Sequence, residues 1–247
     1  YDGRRFIENK NFKLDSNMLT LYKDIKEVID NYPHNITLSN LISFLCMPCL
    51  CYQYKYPQTA SIRKKYVFWY LFQFLLCLFI YILISVQETI PIIINSFKYI
   101  DNKEYPNLFE RILKLSIPNV YSWIILFYAF FHCWMNLLAE LTRFADRTFY
   151  KDWWNSLYLD EYWRKWNIPT HYWMMRHIYN PLRRRKFSKV FCVGVTFFVS
   201  GVVHEYVISG GLGYFSVWAF LCMFLNFPVS LIQVYLRESP KFSWCKN

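Results

Sequence analysis

Residues 190–208, VFCVGVTFFVSGVVHEYVI, form an apolar run whose one adjacent ionisable pair, His204 and Glu205, stands near its far end. No other stretch restricts the fold as strongly. A hydrocarbon core of roughly 30 Å takes about 20 mostly apolar residues of helix to cross. Within lipid the backbone must satisfy its own hydrogen bonds, which a helix does. Ionisable side chains in such a segment are costly, so they face a protein interior or a wet cavity. Cys192, Thr196, Ser200 and His204 recur at every fourth position and therefore lie along one side of the helix. Val and Phe fill most of the remaining positions. The spacing predicts a spanning helix with a narrow polar stripe that ends in His204.

The same clumping recurs along the chain. Of 247 residues, 55% are hydrophobic and 22% aromatic, and several windows of about 20 are almost free of charge. This predicts an all-α, polytopic transmembrane protein with about four spanning helices plus interfacial helices, not a water-soluble domain. The spans fall at about 67–90 (running on toward 95 through a kink at Pro91), 119–139, 190–208 and 214–235. An amphipathic interfacial helix is expected at 19–30. The apolar run at 41–52 is too short to span and contains Pro48, so an interfacial or re-entrant segment packed on the protein is expected there. Ser209, Gly210, Gly211 and Gly213 predict a tight turn between the last two spans.

Charge sets the orientation. Segment 141–189 holds eleven Lys/Arg against four Asp/Glu, whereas the loop expected at 96–117 holds four against three. The positive-inside rule then places 141–189, the IRKK of 62–65 and the tail after 235 in the cytosol, and 96–117 in the lumen. The net charge of +11 does not call for nucleic acid, because the basic residues gather beside the apolar spans. Anchoring, anionic lipid and substrate phosphates account for them there. The Cys46/Cys49 pair makes a lone CxxC with no second pair, too weak for a metal or redox site, and no metal is expected.

Three further constellations carry polar chemistry. His132, Asn136 and Glu140 share one face of the second span, where they either hydrogen-bond one another and specify helix packing or line a functional seam. The segment FYKDWWN, residues Phe149, Tyr150, Lys151, Asp152, Trp153, Trp154 and Asn155, lies beside Trp163, Trp166, Asn167, His171 and Trp173. A tryptophan belt at the membrane surface explains part of this, but not the fixed polar residues between the rings. The run Arg183, Arg184, Arg185, Lys186 and Lys189 serves orientation or phosphate binding equally well. On residues alone, a substrate path through a transporter and a non-catalytic scaffold both stay open beside an enzyme.

FYKDWWN followed some 50 residues later by an intramembrane HEY resembles the membrane-bound O-acyltransferases, in the branch of acyl-CoA:diacylglycerol and acyl-CoA:sterol acyltransferases. YPHNIT, LCYQYKYP, RILKLSIPN, AELTRFADRTFYKDWWN and WNIPTHYWMMRHIYNPLRR extend the likeness from Tyr32 to about Arg237, with the wording of plant-like type-1 diacylglycerol O-acyltransferases. Asn226 stands where that branch usually has Gln and reads more like the sterol branch, so a sterol is the alternative acceptor. The resemblance implies a single partial domain of that family over 1–247, a multi-pass location in the endoplasmic reticulum membrane, and acyl transfer from acyl-CoA to diacylglycerol to form triacylglycerol. Acyl-CoA is then a substrate and no cofactor is implied; membrane lipids and a second copy of the chain are the further implied partners. It further implies that His204 is the general base, with Asn167 near the thioester and Glu205 as the acid beside the histidine. Ser200, Trp166, His171, Tyr179 and Lys189 then contact acyl-CoA, joined by Arg183 and Arg184 of the basic run.

The chemistry agrees with those residue types. An alcohol is a poor nucleophile, so a positioned base takes its proton as it attacks the thioester carbonyl. Histidine suits that task, and burial deep in the membrane is expected to keep it neutral. Asn167 is the candidate donor to the developing oxyanion. A covalent acyl-Ser200 activated by His204 is the competing route.

Overall fold

A computed structural model describes residues 26, 30–34, 36–53 and 56–238. The amphipathic helix expected at 19–30 falls mostly outside the described residues. Among those described, every regular element is helical, and the only extended pairing is an isolated antiparallel bridge between Gln58 and Phe144. Four helical stretches are long and apolar enough to cross a membrane: Lys64–Asp101, Tyr105–Leu141, Lys189–Leu212 and Trp218–Arg237.

The chain enters through α1 (Leu38–Cys46), started by Thr37, whose hydroxyl accepts from the Asn40 amide at 3.2 Å. The following turn drops Met47 into a small core with Ala139, Phe144 and Phe149, so the apolar run is packed on the protein there, while Leu41, Ile42 and Leu45 of α1 stay exposed. The first span is α2 (Lys64–Ile84), a π-helical turn at Ser85–Thr89 and α3 (Ile90–Asp101). Pro91 lacks an amide hydrogen, and the helix absorbs that loss next to the widened turn instead of ending. The second span is α4 (Tyr105–Phe127), a π-helical turn at Tyr128–Trp134 and α5 (Met135–Leu141).

The expected loop at 96–117 is therefore not a loop. Only Asn102–Glu104 interrupts helix, and Pro118 lies inside α4. Each of these first two spans exceeds 35 residues, and at 1.5 Å per residue that is well over the roughly 30 Å of a hydrocarbon core. The surplus carries the charges, among them the Lys114–Glu110 ion pair one turn apart and Arg111, which donates to the Tyr99 hydroxyl at 3.4 Å. Charged residues make this stretch look like a water-exposed loop, but their partners lie along helices.

Lipid offers no hydrophobic drive for helix pairing, so polar and close-packed contacts hold spans together. Gln73 Nε2 donates to the Tyr128 hydroxyl at 3.1 Å, and the Phe74 and Trp134 rings meet at 5.3 Å. At the end of the hairpin near 141–189, fully buried Glu140 accepts from Arg63 three times: from the backbone amide at 2.8 Å, Nε at 2.9 Å and Nη2 at 2.8 Å. Arg147 completes the cluster. The sequence stripe is thus split, since Asn136 donates to the His132 carbonyl whereas Glu140 joins neither of them.

After the 3-10 turn at Trp153–Asn155 come α6 (Leu159–Trp166), α7 (Ile168–Met174), a π-helical turn at Met175–Tyr179 and α8 (Asn180–Arg184). The third span is α9 (Lys189–Leu212). It runs through Ser209, Gly210 and Gly211, which were expected to turn; the turn comes at Gly213, whose φ of +73° suits a residue without Cβ. The fourth span is α10 (Trp218–Phe224) and α11 (Asn226–Glu238), broken at Leu225. Gly201 lets α9 and α10 approach: a Cβ there would lie 2.9 Å from Phe220 Cδ2 and 3.2 Å from its carbonyl oxygen. Gly201→Val is expected to cost about 1–3 kcal/mol by overpacking; an unchanged unfolding temperature would show that the two helices have room to part.

Helix α6 joins the two hairpins. Its Tyr162 and Trp166 meet α4 residues and the 3-10 turn, with the Trp166 ring stacked on Trp123 at 4.5 Å. Leu159 and Trp163 face the other way. The Leu159 amide donates to Gln233 Oε1 at 2.8 Å, and Trp163 meets Phe197 edge-on at 6.2 Å.

Candidate active site

Along α9 the polar stripe is graded: Cys192 is buried, Thr196 and Ser200 are half-buried, and His204 is exposed. His204 is thus far along the span but stands on an open face, not in the enclosed interior expected of it. Its Nδ1 lies 2.7 Å from the Ser200 carbonyl oxygen. A carbonyl only accepts, so Nδ1 carries the proton, and in the neutral ring Nε2 is the nitrogen with the lone pair. The Ser200 hydroxyl is 3.5 Å from the same Nδ1, the nitrogen already committed to the carbonyl.

Glu205 does something different. It is buried, and its carboxylate accepts from the Ser209 hydroxyl at 2.5 Å, the Ser216 amide at 3.1 Å, the Ser216 hydroxyl at 3.2 Å and the Phe220 amide at 3.2 Å. Phe220 belongs to the first turn of α10, whose amides have no partner within the helix. Glu205 therefore caps α10 from a neighbouring helix. Successive helical residues point about 100° apart, so the carboxylate that looks adjacent to His204 in sequence faces α10 instead.

The FYKDWWN segment packs as a folded strip against the second span. Phe149 is buried beside Met47, Ala139 and Phe144. The Tyr150 hydroxyl lies 3.0 Å from His132 Nδ1. Trp153 enters a ring cluster with Trp123, Phe127, Tyr162 and Trp166, whereas Trp154 stays exposed. Asp152 pairs with Lys165 at 3.1 Å, and Lys165 also pairs with Glu161 at 2.8 Å. Hydrogen bonding to Lys165 holds both carboxyls below their usual range. The Lys165 contribution is present above about pH 4, the ordinary carboxylate range, and is lost as pH falls through the lowered values.

Two backbone bonds give the strip its bearing on Asn167. The Lys151 amide donates to the Lys165 carbonyl at 2.9 Å, and the Ile168 amide donates to the Phe149 carbonyl at 3.0 Å. Asn167 sits between these ties. It is also the N-cap of α7, with Oδ1 accepting from the Thr170 amide at 3.1 Å. A backbone amide only donates, so the oxygen is the held atom and the amide nitrogen is turned away from the cap. Trp166 is absorbed into the ring cluster with Phe127 at 4.3 Å and Trp153 at 5.1 Å. His171 is half-buried in α7, and burial, then Arg164, pushes its pKa down, which keeps it neutral.

Tyr179 ends the π-helical turn that packs against α9, and Lys189 opens α9, exposed. Arg183 donates to the Phe187 carbonyl at 2.6 Å, whereas Arg184 and Arg185 are exposed. An open cleft of about 420 Å³ adjoins the other side of the strip, bounded by Cys49, Tyr56, Phe149, Ile168 and Arg176 among others; its lining includes no residue of α9. The cysteines Cys46, Cys49 and Cys51 are free thiols, and burial pushes the Cys49 thiol up. The residues that sequence reasoning did not single out are Arg63, Arg147 and Lys165. Arg63 reads in sequence as one more orienting charge, and nothing local ties it to Glu140, 77 positions away.

Comparison with known proteins agrees with this architecture. Residues 23–238 match the membrane-bound O-acyltransferase family. The chain is 43% identical over 238 residues to diacylglycerol O-acyltransferase 1C of Glycine max, an alignment covering 94% of this chain and 46% of that protein. It is 43% identical over 203 residues to diacylglycerol O-acyltransferase 1 of Arabidopsis thaliana, covering 82% and 39%, and 39% identical over 213 residues to that of Dictyostelium discoideum, covering 86% and 33%. The chain therefore spans less than half the length of these curated relatives. With the match extending over most of its residues and the spans of an integral membrane protein in place, the chain belongs to the membrane-bound O-acyltransferase family.

Proposed function

We propose that this chain carries the reaction centre of an acyl-CoA:diacylglycerol O-acyltransferase of the endoplasmic reticulum membrane, with His204 as general base. The observation that carries the reading is the 2.7 Å bond from His204 Nδ1 to the Ser200 carbonyl, which leaves Nε2 to take a proton inside a spanning segment. The names and identities of the relatives support the substrate pair.

In this reading the acceptor hydroxyl attacks the thioester carbonyl carbon while Nε2 takes its proton. The carbonyl becomes a tetrahedral oxyanion, to which the Asn167 amide nitrogen donates. Collapse breaks the C–S bond, and the imidazolium returns the proton to the departing CoA sulfur. An acyl-Ser200 is disfavoured, because the Ser200 hydroxyl approaches the protonated nitrogen of His204 and not the basic one. Glu205 positions the helix and takes no proton. CoA arrives from the cytosolic side past Lys189 and the basic run, and the lipid acceptor enters from the bilayer.

The test is an assay of purified full-length protein with labelled acyl-CoA, offering diacylglycerol, a sterol and a long-chain alcohol side by side. Diacylglycerol is expected to be acylated fastest; equal or faster sterol acylation would reassign the acceptor. Neutralising Arg184 and Arg185 is expected to raise KM for acyl-CoA more than it lowers kcat. A change in membrane orientation with KM unaltered would remove the phosphate role. Arg183 is less clean as a probe, since its side chain also caps the end of α8.

A further inference from the structure

His132 is a titratable residue within a span that the reaction above does not use, and it occupies an unusual place. It lies in the π-helical turn Tyr128–Trp134, where the helix widens locally. The His132 carbonyl accepts both from the Met135 amide and from the Asn136 side chain, the latter at 2.7 Å. The ring is stacked on Tyr128 with centroids 4.7 Å apart and meets Tyr70 edge-on at 5.9 Å. With its faces so occupied, its Nδ1 is directed to the Tyr150 hydroxyl at 3.0 Å.

Tyr150 is the middle residue of the paired strip. Its predecessor, Phe149, gives the carbonyl that holds the Ile168 amide, and its successor, Lys151, gives the amide held by the Lys165 carbonyl. Those two bonds flank Asn167. The Tyr150 ring also meets Phe127 edge-on at 5.1 Å, and Phe127 packs on Trp166, the residue before Asn167. Both backbone ties and the Phe127–Trp166 contact thus lead from Tyr150 to within two residues of Asn167, and His132 is the second-span residue that holds the Tyr150 hydroxyl.

We infer that His132 is a positioning residue: by holding Tyr150 it fixes the 149–151 strip, and through the strip it sets the placement of the Asn167 side chain. This rests on the reading of Asn167 as the oxyanion donor. His132 reaches the strip from within this widened turn of the span. Displacing a donor by a fraction of an ångström leaves the fold intact and costs rate, so the effect belongs in kcat and not in the binding of acyl-CoA.

The experiment combines two readouts on the full-length protein in lipid nanodiscs, with His132→Phe, Tyr150→Phe, His132→Gln and Asn167→Ala. Hydrogen–deuterium exchange of peptides covering 165–170 reports on the strip whatever Asn167 does. It is expected to speed up in His132→Phe and Tyr150→Phe, and to return toward wild type in His132→Gln, which can still bond the phenol. In the acylation assay His132→Phe is expected to lower kcat by about 10-fold with KM for acyl-CoA little changed, and to have no further effect in the Asn167→Ala background. Unchanged exchange at 165–170 in both phenylalanine variants overturns the inference, whatever the rates. Faster exchange with unaltered kcat upholds His132 as the anchor of the strip and overturns the reading of Asn167. Additive losses of His132→Phe and Asn167→Ala would show His132 acting elsewhere and also overturn the inference.

Discussion

Replacing His204 with alanine in the full-length protein is expected to lower acyl transfer by roughly 100- to 10,000-fold, the span usual for loss of a positioned general base. Folding and acyl-CoA binding are expected to stay close to wild type, because the His204 ring is exposed and its one short bond returns to its own helix. Single-turnover acylation measured beside acyl-CoA binding separates the two effects. A loss of less than 10-fold would assign the base to another group. Ser200→Ala is the companion variant. Its hydroxyl is 3.5 Å from Nδ1, and the bond that sets the tautomer comes from the backbone carbonyl, which alanine retains. Ser200→Ala is therefore expected to lose far less activity than His204→Ala. Equal losses would favour a covalent acyl-serine.

The second large effect is one of stability. Glu140→Ala is expected to destabilise the protein by about 1–3 kcal/mol, since it removes the charged hydrogen bonds that meet on a buried carboxylate, while Arg63 and Arg147 keep access to water. Three bonds from Arg63 and a fourth contact from Arg147 converge on this carboxylate, which no solvent reaches. They tie the start of the first span, the end of the second and the approach to the FYKDWWN strip at one point. Nearby backbone bonds join the same segments: Thr59 amide to Arg143 carbonyl at 2.8 Å, and Ala145 amide to Pro57 carbonyl at 2.9 Å. Adding Arg63→Leu to Glu140→Leu is expected to recover part of the loss, because an apolar pair leaves less charge uncompensated there. Thermal unfolding in nanodiscs checks both. A loss under about 1 kcal/mol would put the cluster among exposed ion pairs.

Much of the membrane architecture was legible in the residues. Apolar runs of bilayer length give the spans because backbone bonding in lipid leaves few alternatives. The loop expected at 96–117 is helical instead for a definite reason: Glu110 and Lys114 resemble a loop when read one at a time, yet an i,i+4 ion pair on a helix already begun accommodates both, and Pro118 continues the same helix. Along α9, fourfold spacing aligned Ser200 with His204. It could not tell which neighbour Glu205 would meet, since that depends on where α10 lies. Nor could it pair Glu140 with Arg63, or the 149–151 strip with 165–168. Those contacts join segments far apart in sequence or separated by turns, whose geometry arises only in the folded chain.

The bonds of Glu205 carry one more implication. A helix in lipid is free to roll about its long axis unless something off-axis stops it. A carboxylate bound to both Ser216 and the first turn of α10 is such a stop, and Gly201, on the same flank, lets it engage at close range. It fixes the rotational phase of α9. The direction in which His204 points is then set one residue later, by a side chain facing elsewhere. A single-residue insertion between Ser200 and His204 would turn the histidine by about 100° relative to the rest of the stripe even with the anchor kept, so the length of this segment is as constrained as its side chains.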